Sequence, residues 1–303
     1  MRTAVDSCRA QRKDKQMQNY VIFTDSSADL PLDLVKKLDV KVVQLSVTLE
    51  GDEPKPNDKV NTKEFYDALR TKKTATTSTP SIDTFLQAFE PEVASGKDLL
   101  YLGFSSGLSG TYNAGAVAAS ELSEKYPDRK IYTVDTLCAS LGEGLIVYSA
   151  AKMQAGGASI EDVRDFVENN KLNLCHWFTV DDLFFLKRGG RVSAATAVMG
   201  TMLSIKPVMH VDNAGKLINV EKARGRKAAI EALLRNMRES HTDIENQPVF
   251  ISHGDCIEDA NHLASCIKEE FGVEVLVIDY VGPVIGAHSG PGTLALFFYG
   301  KQR

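Results

Sequence analysis

One histidine, His288, stands in the stretch G-P-V-I-G-A-H-S-G-P-G-T, residues 282–293. Imidazole can donate a hydrogen bond, accept one, or carry charge near neutral pH. Glycine leaves backbone N–H groups open to close approach. Together they fit a small polar cradle for an anion. A tight turn with an exposed histidine fits the same residues, since glycine-rich turns are common.

Three further stretches carry groups of the same kind. In T-T-S-T-P-S, Thr76 to Ser81, a hydroxyl either caps the following helix or donates to a ligand oxygen. In K-R-G-G-R, Lys187 to Arg191, the charges are either solvated on a turn or Arg191 points inward to balance an anion. In G-F-S-S-G-L-S-G-T-Y, Gly103 to Tyr112, the first five residues match the G-x-S-x-G nucleophile elbow. An acid and His288 follow downstream, so a serine hydrolase using Ser105 and His288 is an alternative. Against it, more Gly and Ser intervene before the next helix than an elbow has, and no H-G-G-G segment lies upstream. The chain has no G-x-x-x-x-G-K-[S/T] phosphate loop and no spaced His/Cys/Asp cluster, so neither a nucleotide cofactor nor a metal is expected.

The elements that must position these groups begin at Tyr20. Y-V-I-F-T-D reads as a buried strand, S-S-A-D-L-P-L-D-L-V-K-K-L as a capped helix, and V-K-V-V-Q-L-S-V-T-L as a second strand. T-A-T-T-S-T-P-S reads as a hydroxyl-rich loop and D-L-L-Y-L-G-F as another strand. Strand and helix alternate through this half, which implies a parallel sheet covered by helices. Ligands in such sheets sit at the carboxyl ends of the strands, where T-D-S-S, S-S-G-L-S-G and V-D-T fall. After Gly157 the rhythm changes, and S-I-K-P-V-M-H-V-D-N-A-G-K-L-I-N-V-E-K-A-R reads as a hairpin. The expectation is an α/β fold. Residues 19–171 form a parallel-sheet domain, residues 172–303 a second α/β domain with a mixed sheet, and residues 1–18 a disordered extension.

Bulk composition narrows the function classes. The 303 residues are 43% hydrophobic and 25% charged, which suits a chain with a real core. The net charge of −5 gives no basic face for nucleic acid. No apolar run approaches the ~20 residues of a membrane span, so no stable membrane insertion is expected. The 5 cysteines are scattered without a C-x-x-C pair. With no signal-peptide pattern at the start, a reducing cytoplasm is the expected setting.

Taken in order, these segments resemble the DegV family of bacterial lipid-binding proteins. The resemblance rests on D-S-S-A-D-L-P at 25–31, T-S-T-P-S at 77–81, S-S-G-L-S-G-T-Y at 105–112, V-D-T-L-C-A-S-L-G-E-G-L-I-V at 134–147, L-K-R-G-G-R-V-S at 186–193, and residues 282–293. It implies a two-domain α/β fold with a lipid tunnel between the domains. It also implies a long-chain fatty acid held non-covalently by its carboxylate. In the FakB-like members the protein presents that carboxylate to a separate ATP-dependent kinase subunit, FakA, which makes an acyl-phosphate for phospholipid synthesis. On that resemblance the chain is a carrier rather than an enzyme, with no catalytic residues of its own. A lipid-binding sensor without a kinase partner is the other alternative. By motif, the carboxylate-binding residues are Thr77, Ser78, Ser105, Ser106, Arg191 and His288, with Ser105 and Ser106 not distinguished. One departure is Thr79, where the family often has Gln.

Overall fold

The structure, a computed structural model, describes residues 19–193 and 205–303. The expected extension over residues 1–18 lies outside the described residues. Strands β1 (Tyr20–Asp25), β2 (Lys41–Val43), β6 (Asp98–Gly103) and β7 (Ile131–Asp135) form an all-parallel sheet in the order β2-β1-β6-β7. Strands of a parallel sheet are buried on both faces, which is why β1 and β6 read as continuous apolar runs. Alternate residues serve opposite faces. Val21, Phe23, Leu99 and Tyr101 pack on helices α3 (Ile82–Ala94) and α4 (Thr111–Lys125). Ile22, Leu100 and Leu102 pack on α5 (Leu141–Ala155) and α6 (Ile160–Asn170).

The second sheet is mixed, in the order β10-β9-β8-β13-β11-β12. Its strands are β8 (Leu174–Thr179), β9 (Ile205–Val211), β10 (Leu217–Arg224), β11 (Phe250–His253), β12 (Val277–Tyr280) and β13 (Leu294–Tyr299). Helices α8 (Arg226–Ser240) and α9 (Ile257–Phe271) bury Leu233, Met237, Leu263 and Ile267 against one face, on Ile251, Leu296 and Phe298. The other face turns toward the first sheet. Its Phe178, Met209, Phe250 and Phe297 join the same apolar cluster as Leu100 and Leu102. Between the sheets runs α5, whose Leu141, Leu145, Ile146 and Val147 are fully buried. A helix apolar on nearly every side belongs in an interior. A Cβ on Gly142 would collide with His176, so the bare glycine lets α5 lie directly on β8.

Three elements differ from expectation, each for a local reason. The segment V-K-V-V-Q-L-S-V-T-L is two strands, β2 and β3 (Ser46–Leu49), in different sheets. Between them the Leu45 N–H donates to Ser26 Oγ and the Leu45 carbonyl accepts from Asn57 N–H, so neither group continues a ladder. The hydroxyl-rich segment at 75–78 is not a loop but strand β5 (Ala75–Ser78), antiparallel to β3 in a small sheet completed by β4 (Lys55–Pro56). Threonine is β-branched and suits a half-exposed strand. Pro283–Ser289 is a short helix, α10, rather than a loop. Pro283 opens it at N1, where its missing N–H has no partner to lose. Gly290, at φ 80°, ends it in a conformation that favours glycine.

Candidate functional site

A cavity, partly open to solvent, lies between the carboxyl ends of the first sheet and the inner face of the second. One wall comes from the loops after β6 and β7, through Phe104, Leu108 and Ala139. The facing wall is the cross-strand row Phe178, Ala295 and Ser252, set by the β8–β13–β11 register. Helix α10 closes a side with Val284 and Ile285. Most of the lining is apolar, so a ligand here must itself be largely apolar.

Polar groups gather where β5, α10 and the turn after α7 (Leu183–Arg188) meet. The β3–β5 register sets Thr77 opposite Val47. Thr77 therefore lies two residues from Ala75, on the face that packs on Val284 and Ala287 of α10. There Thr77 Oγ1 is 2.8 Å from His288 Nε2, joining residues far apart in sequence. Ser78 and Arg191 line the same part of the cavity. His288 Nδ1 is buried without a hydrogen-bond partner. Gly189 packs against that nitrogen so closely that a Cβ there would collide with it. Arg191 is partly buried, its Nη1 donates to the Gly189 carbonyl, and no carboxylate of the described residues pairs with it.

Electrostatics at this end favour an anion. Burial, then the cations Arg191 and Arg188, push the His288 imidazole down to about 4, so it is neutral at pH 7. Burial also lowers the Arg191 guanidinium, which stays charged near neutrality. A carboxylate placed here would meet a hydroxyl, an imidazole and a guanidinium, the set that a buried carboxylate needs. Its own charge would raise the His288 pKa and strengthen the contact.

The second hydroxyl loop behaves differently from expectation. Ser105 is fully buried, and its Oγ donates to the Gly215 carbonyl at 2.8 Å and accepts from Gly107 N–H. It fastens the loop to the β9–β10 hairpin turn. Ser106 is exposed, and its N–H donates to Asp135 Oδ1. Neither lines the cavity; Ser109, a few residues on, does. Nor are Ser105 and His288 partners, since each is engaged elsewhere, which removes the pairing that the hydrolase alternative requires. Ser109 stood within the S-S-G-L-S-G-T-Y motif without being singled out. Ser140 stood within V-D-T-L-C-A-S-L-G-E-G-L-I-V without being singled out, and two further lining groups, His176 and Ser252, carried no local signal. They reach the cavity only through the packing of α5 and the register of the second sheet. Among the described residues no group of three or more His, Cys, Asp or Glu is placed to hold a metal, and no helix is long and apolar enough to cross a membrane.

Known proteins share this fold. The chain is 47% identical over 289 residues to a DegV domain-containing protein of Clostridium perfringens, covering 95% of this chain and 99% of that one. A fatty-acid-binding DegV family protein of Thermus thermophilus superposes with a TM-score of 0.82 at 31% identity, covering 93% of this chain and 99% of the other. DegV of Bacillus subtilis, a fatty acid binding protein, superposes with a TM-score of 0.79 at 29% identity, covering 94% and 100%. The family model described as an uncharacterised protein of the DegV family matches residues 19–301, and the chain belongs to that family.

Proposed function

We propose that this chain binds one long-chain fatty acid non-covalently in the cavity and presents its carboxylate to a separate ATP-dependent kinase subunit. The observation that carries the reading is the polar end of an otherwise apolar cavity. There Thr77 and His288 are bonded beside an Arg191 that has no carboxylate partner among the described residues. The apolar lining takes the tail, and Thr77, Ser78, Arg191 and His288 take the head group. Residues 19–171 and 172–303 are proposed as the two domains, the first supplying the hydroxyls and the second the imidazole and guanidinium. That the Thermus thermophilus and Bacillus subtilis proteins bind fatty acids supports a fatty acid as the ligand.

Phosphoryl transfer needs a site for nucleotide phosphates and Mg²⁺. The sequence carries no phosphate-loop pattern, and one anion cradle is too small for both a nucleotide and the acid. The kinase is therefore assigned to a partner. The test follows ADP and acyl-phosphate in a mixture of this protein, fatty acid, a bacterial fatty acid kinase subunit, ATP and Mg²⁺, with each omitted in turn. Product is expected only from the complete mixture; turnover by this chain without the kinase contradicts the carrier role.

A further inference from the structure

The helix that carries His288 is capped by a residue far outside it. The N-cap position of α10 is Gly282, which has no side chain to accept a first-turn N–H. Asn57 supplies the acceptor from the other half of the chain: its Oδ1 takes the Val284 N–H at 2.9 Å. Asn57 is itself tied down. Its N–H donates to the Leu45 carbonyl, and its Nδ2 lies 3.4 Å from the Ser26 carbonyl, just after β1. With oxygen facing an N–H and nitrogen facing a carbonyl, the amide has one orientation that suits both.

A second hold lies beside the first. Tyr66, fully buried on the helix Thr62–Arg70, donates its hydroxyl at 2.8 Å to the carbonyl of Val281, the residue before Gly282. Phe65, Tyr66 and Leu69 share an apolar cluster with Val284 and Ala287 of α10. Ala75, on the strand that carries Thr77, belongs to the same cluster. The groups that hold α10 and the hydroxyl that meets His288 therefore come from one stretch of chain.

Placement matters at the far end of the helix, where His288 has little room. Its Nε2 is 2.8 Å from Thr77 Oγ1, and Gly189 crowds Nδ1 from another side. A contact stretched to about 3.6 Å is no longer a hydrogen bond. The backbone links the two ends directly: the Gly286 N–H bonds the Gly282 carbonyl, and the Gly290 N–H bonds the Gly286 carbonyl. A helix of about two turns bonded in this way carries a shift at its entry through to its last turn.

We propose that Asn57, seconded by Tyr66, is a positioning residue for the head group: by fixing the entry of α10 it holds the His288 imidazole where it meets both Thr77 and a bound carboxylate. Neither Asn57 nor Tyr66 lines the cavity, so their effect on a ligand runs through α10. The proposal rests on the fatty-acid reading above and adds the residues that set the geometry of its polar end. A cap ordinarily serves stability; this one also sets affinity, because a binding group must be held close to its productive geometry by the contacts behind it.

Equilibrium binding of stearate to the wild type, Asn57→Ala and Tyr66→Phe, each with His288 intact and with His288→Ala, tests it. With His288 intact, Asn57→Ala is expected to weaken binding about fivefold and Tyr66→Phe about threefold. In the His288→Ala background, where no imidazole is left to position, both losses should shrink to within about 1.5-fold. A cap that serves stability alone would cost the same affinity in both backgrounds, or none. Equal losses in the two backgrounds overturn the proposal, as does wild-type affinity in both Asn57→Ala and Tyr66→Phe. Thermal melts report whether each variant folds. Tyr66→Phe keeps the buried ring, and if Asn57→Ala does not fold it decides alone by the same two comparisons. Failure of the wild type to bind stearate overturns the fatty-acid reading, and this proposal with it.

Discussion

Two hydroxyl-rich segments, residues 76–81 and 105–110, look alike in the sequence and do different work in the structure. In the first, Thr77 projects from a strand held in place by its pairing with β3, and its hydroxyl meets His288 at the cavity. In the second, Ser105 is used by the chain itself, tying a turn to the Gly215 carbonyl, and Ser106 faces outward. A hydroxyl becomes available to a ligand only after the backbone around it has found other partners. The strand meets that condition and the turn does not.

The contrast yields expectations of decreasing size. Thr77→Ala removes a hydrogen bond to a charged head group, so fatty-acid affinity should fall by roughly 1.5–3 kcal/mol with the melting temperature little changed. Titration calorimetry reads the first and a thermal melt the second. Loss of stability with affinity intact would reverse the roles of the two segments. Ser105→Ala should do the opposite, costing about 1–3 kcal/mol of stability by leaving the Gly215 carbonyl and Gly107 N–H short of a partner. Its affinity for fatty acid, measured well below the melting point, should stay near wild type.

Acid sharpens the comparison further, because the first segment touches an imidazole, that of His288. The folded His288 has its pKa at about 4, below the ordinary 6.5. Between those values the unfolded chain binds more protons than the folded one, so this contribution is present above pH 6.5 and lost as pH falls toward 4. The ligand-free His288→Gln protein should therefore lose less melting temperature over that window than wild type. His176 and His210 are also held down by burial and keep part of the slope in both proteins. Identical slopes would show that His288 titrates normally. The smallest effect belongs to Ser106→Ala, expected within about 0.5 kcal/mol for both stability and affinity. A large loss of affinity there would place the head group at the wrong loop.

The parallel sheet was legible because burial on both faces leaves a plain signature, as in Y-V-I-F-T-D and D-L-L-Y-L-G. The motif residues Thr77, Ser78, Arg191 and His288 were legible too, since each stands in a short stretch rich in Gly or hydroxyls. Helix α10 was hidden because its glycines argue for a loop. Gly286 is there for another reason: a side chain would strike the Tyr66 hydroxyl across the interface with α2 (Thr62–Arg70). Ser252 was hidden because nothing near it differs from an ordinary strand, and Ser140, inside V-D-T-L-C-A-S-L-G-E-G-L-I-V, because it reads as an ordinary helix start. Their meeting depends on contacts across more than a hundred residues.

The central claim is that this chain holds a fatty acid by non-covalent contact alone. Denaturing extraction of the purified protein, with mass spectrometry of both fractions, tests it most directly. Free long-chain fatty acid is expected in the organic phase and protein at its unmodified mass. Protein that is empty as purified and fails to take up added stearate, or an acyl adduct that remains on the chain after denaturation, would contradict it.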